Sequence, residues 1–211
     1  MKALIFDAGP LINLSMNGLL YILEELKKSF DGKFLITKQV KYETIDRPLE
    51  IKRFELGALR VQDLLDKKVL ELPSSLGIDE SVVNAKTQEI MSKANHTVDI
   101  KGHWVSIVSE AEMSCLALVD ELSGKKIQAI IAIDERTTRM LSEKPENLER
   151  IMAEKLHQRV LVNKQNLSQF SKYRFIRSPE IVYVAYKKGI LKPNVKKALE
   201  AALYGTKFNG S

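Results

Sequence analysis

The sequence predicts an α/β protein in which helices cover both faces of a central, mainly parallel sheet, giving a three-layer α/β/α arrangement. Short apolar runs alternate with amphipathic helical stretches along the chain, a pattern typical of parallel strands joined by helices. The 211 residues, 45% of them hydrophobic, suffice for one well-filled core and show no internal repeat. We therefore expect one main domain.

Each predicted element has its own local signal. The apolar runs predict strands at residues 2–6, 33–36, 69–72, 128–133, 159–162 and 175–176. Helical periodicity, with breaks at glycine and proline, predicts helices at residues 11–28 (interrupted near 15–18), 37–47, 48–68, 79–93, 110–122, 137–142, 145–157, 180–188 and 193–203. Residues 95–102 are polar and are interpreted as irregular. Helix caps are expected at Thr37, at Asp79, at either Ser106 or Ser109, and at Ser178.

Acidic residues follow two of the predicted strands. Asp7 comes directly after the first strand and Asp134 after the strand at 128–133. Ligands of open parallel sheets bind outside the carboxyl ends of the strands, where the strand order reverses. Glu112 lies at the amino end of a helix whose apolar residues would hold it near the same edge. Acids that converge in this way repel one another, and a hard divalent cation such as Mg²⁺ or Mn²⁺ would relieve the repulsion.

Each acid also has an ordinary structural interpretation. Asp7 or Asp134 alone could simply cap the next helix, and Glu43, Glu110 or Glu135 alone could be a solvated helix residue. The hypothesis of a metal site therefore depends on the whole set.

The order and spacing of these acids along the chain resemble those of the PIN-domain ribonucleases of archaea and bacteria, including the toxin-like members. The stretch from Ser109 through Glu112 is similar to the "GEAEA" helix start of one PIN subgroup. The segment Asp134, Glu135 and Arg136, with Arg139, is similar to its "DDR…R" segment. Ser109 stands where the subgroup has glycine, and Glu135 stands where it has a second aspartate.

The resemblance implies a PIN-like nuclease core at residues 1–145, a C-terminal strand and helix extension at 146–204 on the same domain, and a flexible tail at 205–211. It implies endonucleolytic hydrolysis of RNA phosphodiester bonds with Mg²⁺ or Mn²⁺ as cofactor. It assigns catalytic roles to Asp7, Glu43, Glu112 and Asp134. It assigns metal binding to Asp7, Glu112, Asp134 and Glu135, with Asp134 and Glu135 competing for the place of the fourth acid. Basic residues near these acids, Arg136 and Lys41 among them, are expected to position RNA phosphates.

The net charge of +6 favours a polyanionic partner such as RNA, although individual lysines are usually parts of solvated faces. The resemblance adds an antitoxin protein and a second copy of the chain as possible partners, and it leaves a toxin and an RNA-processing nuclease equally open. An RNA-binding or assembly module without catalysis is the alternative function. A phosphohydrolase with Asp7 as nucleophile is disfavoured because Gly9 stands where a second aspartate is usual.

The remaining signals concern location and side chains outside the acid set. No apolar run reaches the roughly 20 residues of a membrane span, and the first residues lack the pattern of a secretory signal, so a cytoplasmic location is expected. Cys115 is expected to be a small buried residue. Tyr173 and Phe175 could stack on bases but are better explained as core residues, and Trp104 is expected to pack beneath the segment at 73–103.

Overall fold

A computed structural model describes residues 1–191 and 195–209, and it has the predicted three-layer α/β/α architecture. Four parallel strands form the central sheet in the order β2-β1-β5-β7. They are β1 (Lys2–Phe6), β2 (Gly32–Leu35), β5 (Gln128–Ala132) and β7 (Phe175–Ile176). The chain moves outward from β1 to β2 and then crosses to β5 on the other side. The reversal of strand order therefore falls between β1 and β5.

Helices cover the sheet because successive side chains of a strand point to opposite faces. Helix α7 (Glu110–Gly124) packs on β1 and β5 at one face, and Leu4 and Ile130 point to the other face beside α2 and α11. The other helices are α1 (Ala8–Met16), α2 (Tyr21–Ser29), α3 (Lys38–Lys41), α4 (Arg47–Leu49), α5 (Lys52–Asp66), α6 (Glu80–Asn95), α8 (Arg136–Glu143), α9 (Leu148–Leu156), α10 (Lys164–Leu167), α11 (Ser178–Lys187) and α12 (Val195–Asn209).

A second, smaller sheet joins two segments that are distant in sequence. It contains β3 (Val98–Ile100), β4 (His103–Trp104) and β6 (Leu161–Val162), all antiparallel, in the order β4-β3-β6. The interpretation of residues 95–102 as irregular was therefore wrong: these residues form most of a hairpin. Strand β6 lies beside β3, about 60 residues earlier in the chain, and a local reading of residues 95–102 gives no sign of that pairing.

Three other predictions need correction. The break expected at Pro48 falls later, because Pro48 lies inside α4 and the chain turns at residues 50 and 51 before α5. The strand predicted at 69–72 is reduced to one parallel bridge between Leu35 and Glu71. Ser178 is the first residue of α11 rather than its cap, which is Arg177.

Helix α12 extends through residue 209, so most of the predicted tail at 205–211 is helical in the structure. Residue 193, where this helix was predicted to begin, lies outside the described residues, as do residues 210 and 211. None of the helices in the described parts of the chain has the length and apolar character that crossing a bilayer requires.

Candidate metal centre

Asp7 lies at the reversal of strand order. Its backbone N–H donates to Ala132 O at 2.9 Å, which fixes the end of β1 against β5. The side chain is the N-cap of α1, where Oδ2 accepts from the backbone N–H of Gly9 at 3.3 Å. The other oxygen, Oδ1, is buried and receives no hydrogen bond from the described residues. Asp7 thus caps its helix with Oδ2, while Oδ1 is buried without a hydrogen-bond donor among the described residues.

Glu112 is fixed by the start of α7. Ser109 and Glu112 form a capping box: Ser109 Oγ accepts from the backbone N–H of Glu112, and Glu112 Oε2 accepts from the backbone N–H of Ser109, both at 3.2 Å. Thr138 Oγ1 also donates to Glu112 Oε2. These contacts engage Oε2 and leave Oε1 for another partner. The serine in place of the subgroup's glycine therefore has a structural role.

Glu43 lies in a π-helical segment, Tyr42–Asp46, between α3 and α4. Thr37 caps α3 as predicted, its Oγ1 accepting from the backbone N–H of Val40 at 3.2 Å. Pro48 has no N–H to donate to the carbonyl four residues earlier, which favours the wider helical turn here. Such turns are rare and are often found at functional sites. Glu43 is partly buried.

Glu112 and Glu43 both influence the protonation of Asp7. Burial, followed by the negative charge of Glu112 and then, more weakly, that of Glu43, raises the pKa of Asp7 from 3.8 to about 7, against the opposing hydrogen bonds from its helix. Burial is also the main cause that raises the pKa of Glu43 and Glu112. The pKa of the buried Cys115 thiol is raised well above its usual range, by burial and then by Asp7, Glu112 and Glu43 in that order. The charges of all three acids thus act on one buried thiol.

Asp134 lies beside Asp7 but is committed to other partners. A Cβ atom at Gly9 would lie 3.5 Å from Asp7 Oδ2 and 3.6 Å from Asp134 Cβ, so Gly9 packs between the two side chains. Asp134 Oδ1 accepts from the backbone N–H of Ser178 at 2.8 Å. Asp134 Oδ2 accepts from Ser178 Oγ and from Asn13 Nδ2, the latter at 3.1 Å. Both oxygens of Asp134 therefore accept hydrogen bonds from protein donors, one at Oδ1 and two at Oδ2.

The remaining predicted residues lie around this group. Glu135 is the N-cap of α8, accepting from the backbone N–H of Thr138 at 2.8 Å, and its charge raises the pKa of Glu112. Arg136 is exposed and forms no ion pair with a described residue. Lys41 pairs with Asp46 at 2.5 Å, so its ammonium is already engaged.

Arg139 is only 16% exposed and contacts Glu143 at 3.6 Å. Its Nε is buried and has no hydrogen-bond partner among the described residues, and burial lowers the pKa of its guanidinium. Arg139 therefore lies half-buried in α8, the helix that follows Asp134, with donor capacity that the described protein groups do not use.

Two positioning residues were not predicted. Asn13 connects α1 to Asp134 and to Ser178 Oγ, the latter at 2.8 Å, and Thr138 connects α8 to Glu112. Asn13 stands between Leu11 and Leu14 on a buried helix, and a buried polar residue in an apolar run is the signal that could have identified it. Thr138 gives no comparable signal, because threonine is common in exposed helices.

The resemblance implies Mg²⁺ or Mn²⁺, which the carboxylates of this group would have to bind. In the described parts of the chain, no three His, Cys, Asp or Glu side chains lie close enough together to hold an ion by themselves. Mg²⁺ nevertheless uses one or two carboxylates and completes its shell with water or substrate phosphate. The unpartnered Asp7 Oδ1 and the uncommitted Glu112 Oε1 fit that requirement, whereas both oxygens of Asp134 already accept hydrogen bonds from the protein.

Comparisons with protein-family models, curated proteins and solved structures found no match for this chain. The resemblance to PIN-domain ribonucleases is accordingly carried by the residues themselves, and membership of that family stays a prediction.

Proposed function

We propose that this chain is a Mg²⁺- or Mn²⁺-dependent ribonuclease whose reaction centre is formed by Asp7 and Glu112, with Glu43 at its rim. The observation that carries the proposal is the state of Asp7. A buried carboxylate with an unpartnered oxygen, beside two further acids, costs several kcal/mol of desolvation and repulsion unless a cation compensates it. Its position at the reversal of strand order is where such sheets bind ligands.

Asp7 Oδ1 and Glu112 Oε1 would hold the cation, and Glu43 is near enough to act through its charge. A hard divalent cation supplies an activated water and charge stabilisation for the phosphodiester leaving oxygen. The oxygen donors favour Mg²⁺ or Mn²⁺ over zinc, because the described site offers no imidazole and its only thiol is kept protonated.

The neighbouring residues keep these oxygens in place. Thr138 and the backbone of Ser109 orient Glu112 through Oε2. Asp134 connects α11 and α1 to the end of β5, so we assign it a positioning role rather than a place on the metal. Exposed Arg136, one residue after the N-cap of α8, is available to contact an RNA phosphate.

A module that binds RNA without cutting it is the second candidate, and two observations favour it. The hydrogen bonds that Asp134 already accepts and the absence of three converging acids within the described residues both reduce the number of ligands for a metal. An antitoxin partner, a second copy of the chain and the choice between toxin and RNA-processing nuclease stay predictions in either case.

Cleavage of an end-labelled, mixed-sequence RNA separates the two candidates. The wild-type chain should cut with Mn²⁺ or Mg²⁺ and not with a chelator, and Asp7→Asn should abolish cutting while Asp31→Asn, an exposed aspartate, should not. Binding without metal-dependent cutting would instead support the module. Cutting that persists equally in Asp7→Asn would refute the proposed centre.

A further inference from the structure

The small sheet presents an exposed aromatic and aliphatic face. Asp99 pairs with Trp104 on one side and with Leu161 on the other, so these three side chains form a row on one face of the sheet. Trp104 is 49% exposed and Leu161 is 55% exposed, which corrects the expectation that Trp104 packs beneath residues 73–103. We call this row, together with His96, the Trp104 surface.

His96 flanks the indole and leaves part of it open to solvent. The two rings lie with centroids 5.6 Å apart at an angle of 58°. The His96 ring is held by a 2.6 Å contact between Nδ1 and Ser92 O, and its backbone carbonyl accepts from Asn166 Nδ2 at 2.8 Å. The indole is therefore held on one side by a fixed imidazole and remains half-accessible for another ring.

Four basic residues lie on the segments that form or flank the small sheet, and Asp99 is the one acid in the row. Lys101, Lys155, Arg159 and Lys164 are exposed, and none of them forms an ion pair with a described residue. Lys101 lies in the two-residue turn between β3 and β4 with φ of 54°, and Gly102 follows with φ of 85°. The acid of the row, Asp99, is engaged in this turn, where its Oδ1 accepts from the backbone N–H of Gly102 at 2.9 Å.

We propose that the Trp104 surface binds single-stranded RNA, with one base stacked on the Trp104 indole and phosphates held by the surrounding lysines and Arg159. An exposed aromatic ring within a basic surface is the combination by which proteins bind single strands. The bases of a duplex are already stacked on each other, so a ring that needs an open base face selects unpaired nucleotides.

An acidic protein partner would use the same cations but would not need an open indole beside them. The stacking geometry therefore favours a nucleic acid. The proposal rests on the proposed function for its choice of RNA, and the Trp104 surface is a binding site separate from the Asp7 centre.

The chain offers a direct probe, because Trp104 is its only tryptophan. The experiment uses the full chain carrying Asp7→Asn, with chelator present, and an oligouridylate of about ten nucleotides, so that binding is measured without cleavage. Stacking should quench the tryptophan emission in parallel with the rise of anisotropy of the labelled RNA, and raising the salt concentration should reverse both.

Variants then test each part of the surface. Trp104→Ala should weaken binding about tenfold, and Trp104→Phe should restore most of it because the phenyl ring still stacks. Lys101→Ala and Arg159→Ala should each lower the slope of log K against log salt by about 0.7. Tyr21→Ala, which removes another exposed aromatic, and Lys125→Ala, which removes an exposed lysine at the end of α7, should change neither quantity.

Bound RNA with unchanged tryptophan emission, equal affinity of Trp104→Ala and wild type, or no RNA binding at all would each overturn the proposal. Binding at Trp104 in a chain that cuts no RNA with any divalent cation would refute the proposed nuclease and leave the surface supported. Metal-dependent cutting at the same rate in Trp104→Ala and wild type would support the nuclease and refute the Trp104 surface. The two proposals can therefore fail separately.

Discussion

Ser178 donates from both its backbone N–H and its Oγ to the two carboxylate oxygens of Asp134. This contact joins the first turn of α11 to the end of β5, and Asn13 adds α1 to the same junction. Three elements that meet beside Asp7 are thus held together by one carboxylate. The arrangement gives Asp134 a structural role, at a position after a strand that matches the position of Asp7.

Asp134→Asn should therefore cost stability. An asparagine at this position can accept with only one oxygen, and its amide would face the backbone N–H or the hydroxyl of Ser178. The expected loss is about 1–3 kcal/mol in the free energy of unfolding, measured by urea denaturation. Ser178→Ala should lose a similar amount, whereas Ser171→Ala, at an exposed serine, should lose little. Equal stability of Asp134→Asn and wild type would contradict this role.

Asp7→Asn should have the opposite effect on the metal-free protein. The pKa of Asp7 is about 7 in the folded chain and near 3.8 when unfolded, so the folded state binds the proton more tightly. Stability contributed by this group is complete below about pH 4 and is lost as the pH rises through 7. Asparagine caps a helix about as well as aspartate and carries no charge.

In the presence of chelator, Asp7→Asn should accordingly be more stable than wild type at pH 8, on the order of a few kcal/mol. The advantage should shrink at pH 5. Urea denaturation of both chains at the two pH values measures the difference in their free energies of unfolding. Contributions from groups that titrate alike in both chains cancel in that difference. An advantage that is absent, or that does not change with pH, would show that Asp7 is not destabilised when ionised.

Thr138→Val tests the support of Glu112. The substitution preserves shape and removes the hydroxyl that donates to Glu112 Oε2, so the ionised Glu112 should become less stable. A loss of about 1–3 kcal/mol is expected at pH 8, and a smaller loss at pH 4, where Glu112 is protonated in both chains. Thr87→Val is the matched control, because the buried Thr87 donates to the neutral carbonyl of Val83 at 2.7 Å. The loss of unfolding free energy in Thr87→Val should not depend on pH. A loss in Thr138→Val that is also independent of pH would contradict a hydrogen bond from Thr138 to the ionised Glu112.

The sequence predicted what local signals determine. The strand before Asp7, the caps Thr37, Asp79 and Ser109, and the helices that they begin are all confirmed. Each of these depends on residues a few positions apart. Glu112 and Glu43 both raise the pKa of Asp7, so their charges act on the end of the first strand.

What the sequence did not predict depends on contacts between distant residues. The hydrogen bonds of Asp134 come from residues 121 positions earlier and 44 later, so the neighbouring sequence gives no sign of them. Strand β3 is weak alone and gains its partner β6 from beyond α8 and α9, which is also why the exposure of Trp104 was missed.

Binding of a divalent cation by Asp7 and Glu112 can be measured with Mn²⁺ by electron paramagnetic resonance at pH 8. Wild type should lower the signal of free Mn²⁺ by saturable binding, and Asp7→Asn and Glu112→Gln should largely lose this binding. Folded Asp134→Asn and the exposed-site controls Asp31→Asn and Glu146→Gln should retain it. Equal Mn²⁺ binding by wild type and Asp7→Asn, or no binding by wild type, would show that Asp7 and Glu112 do not form a metal site.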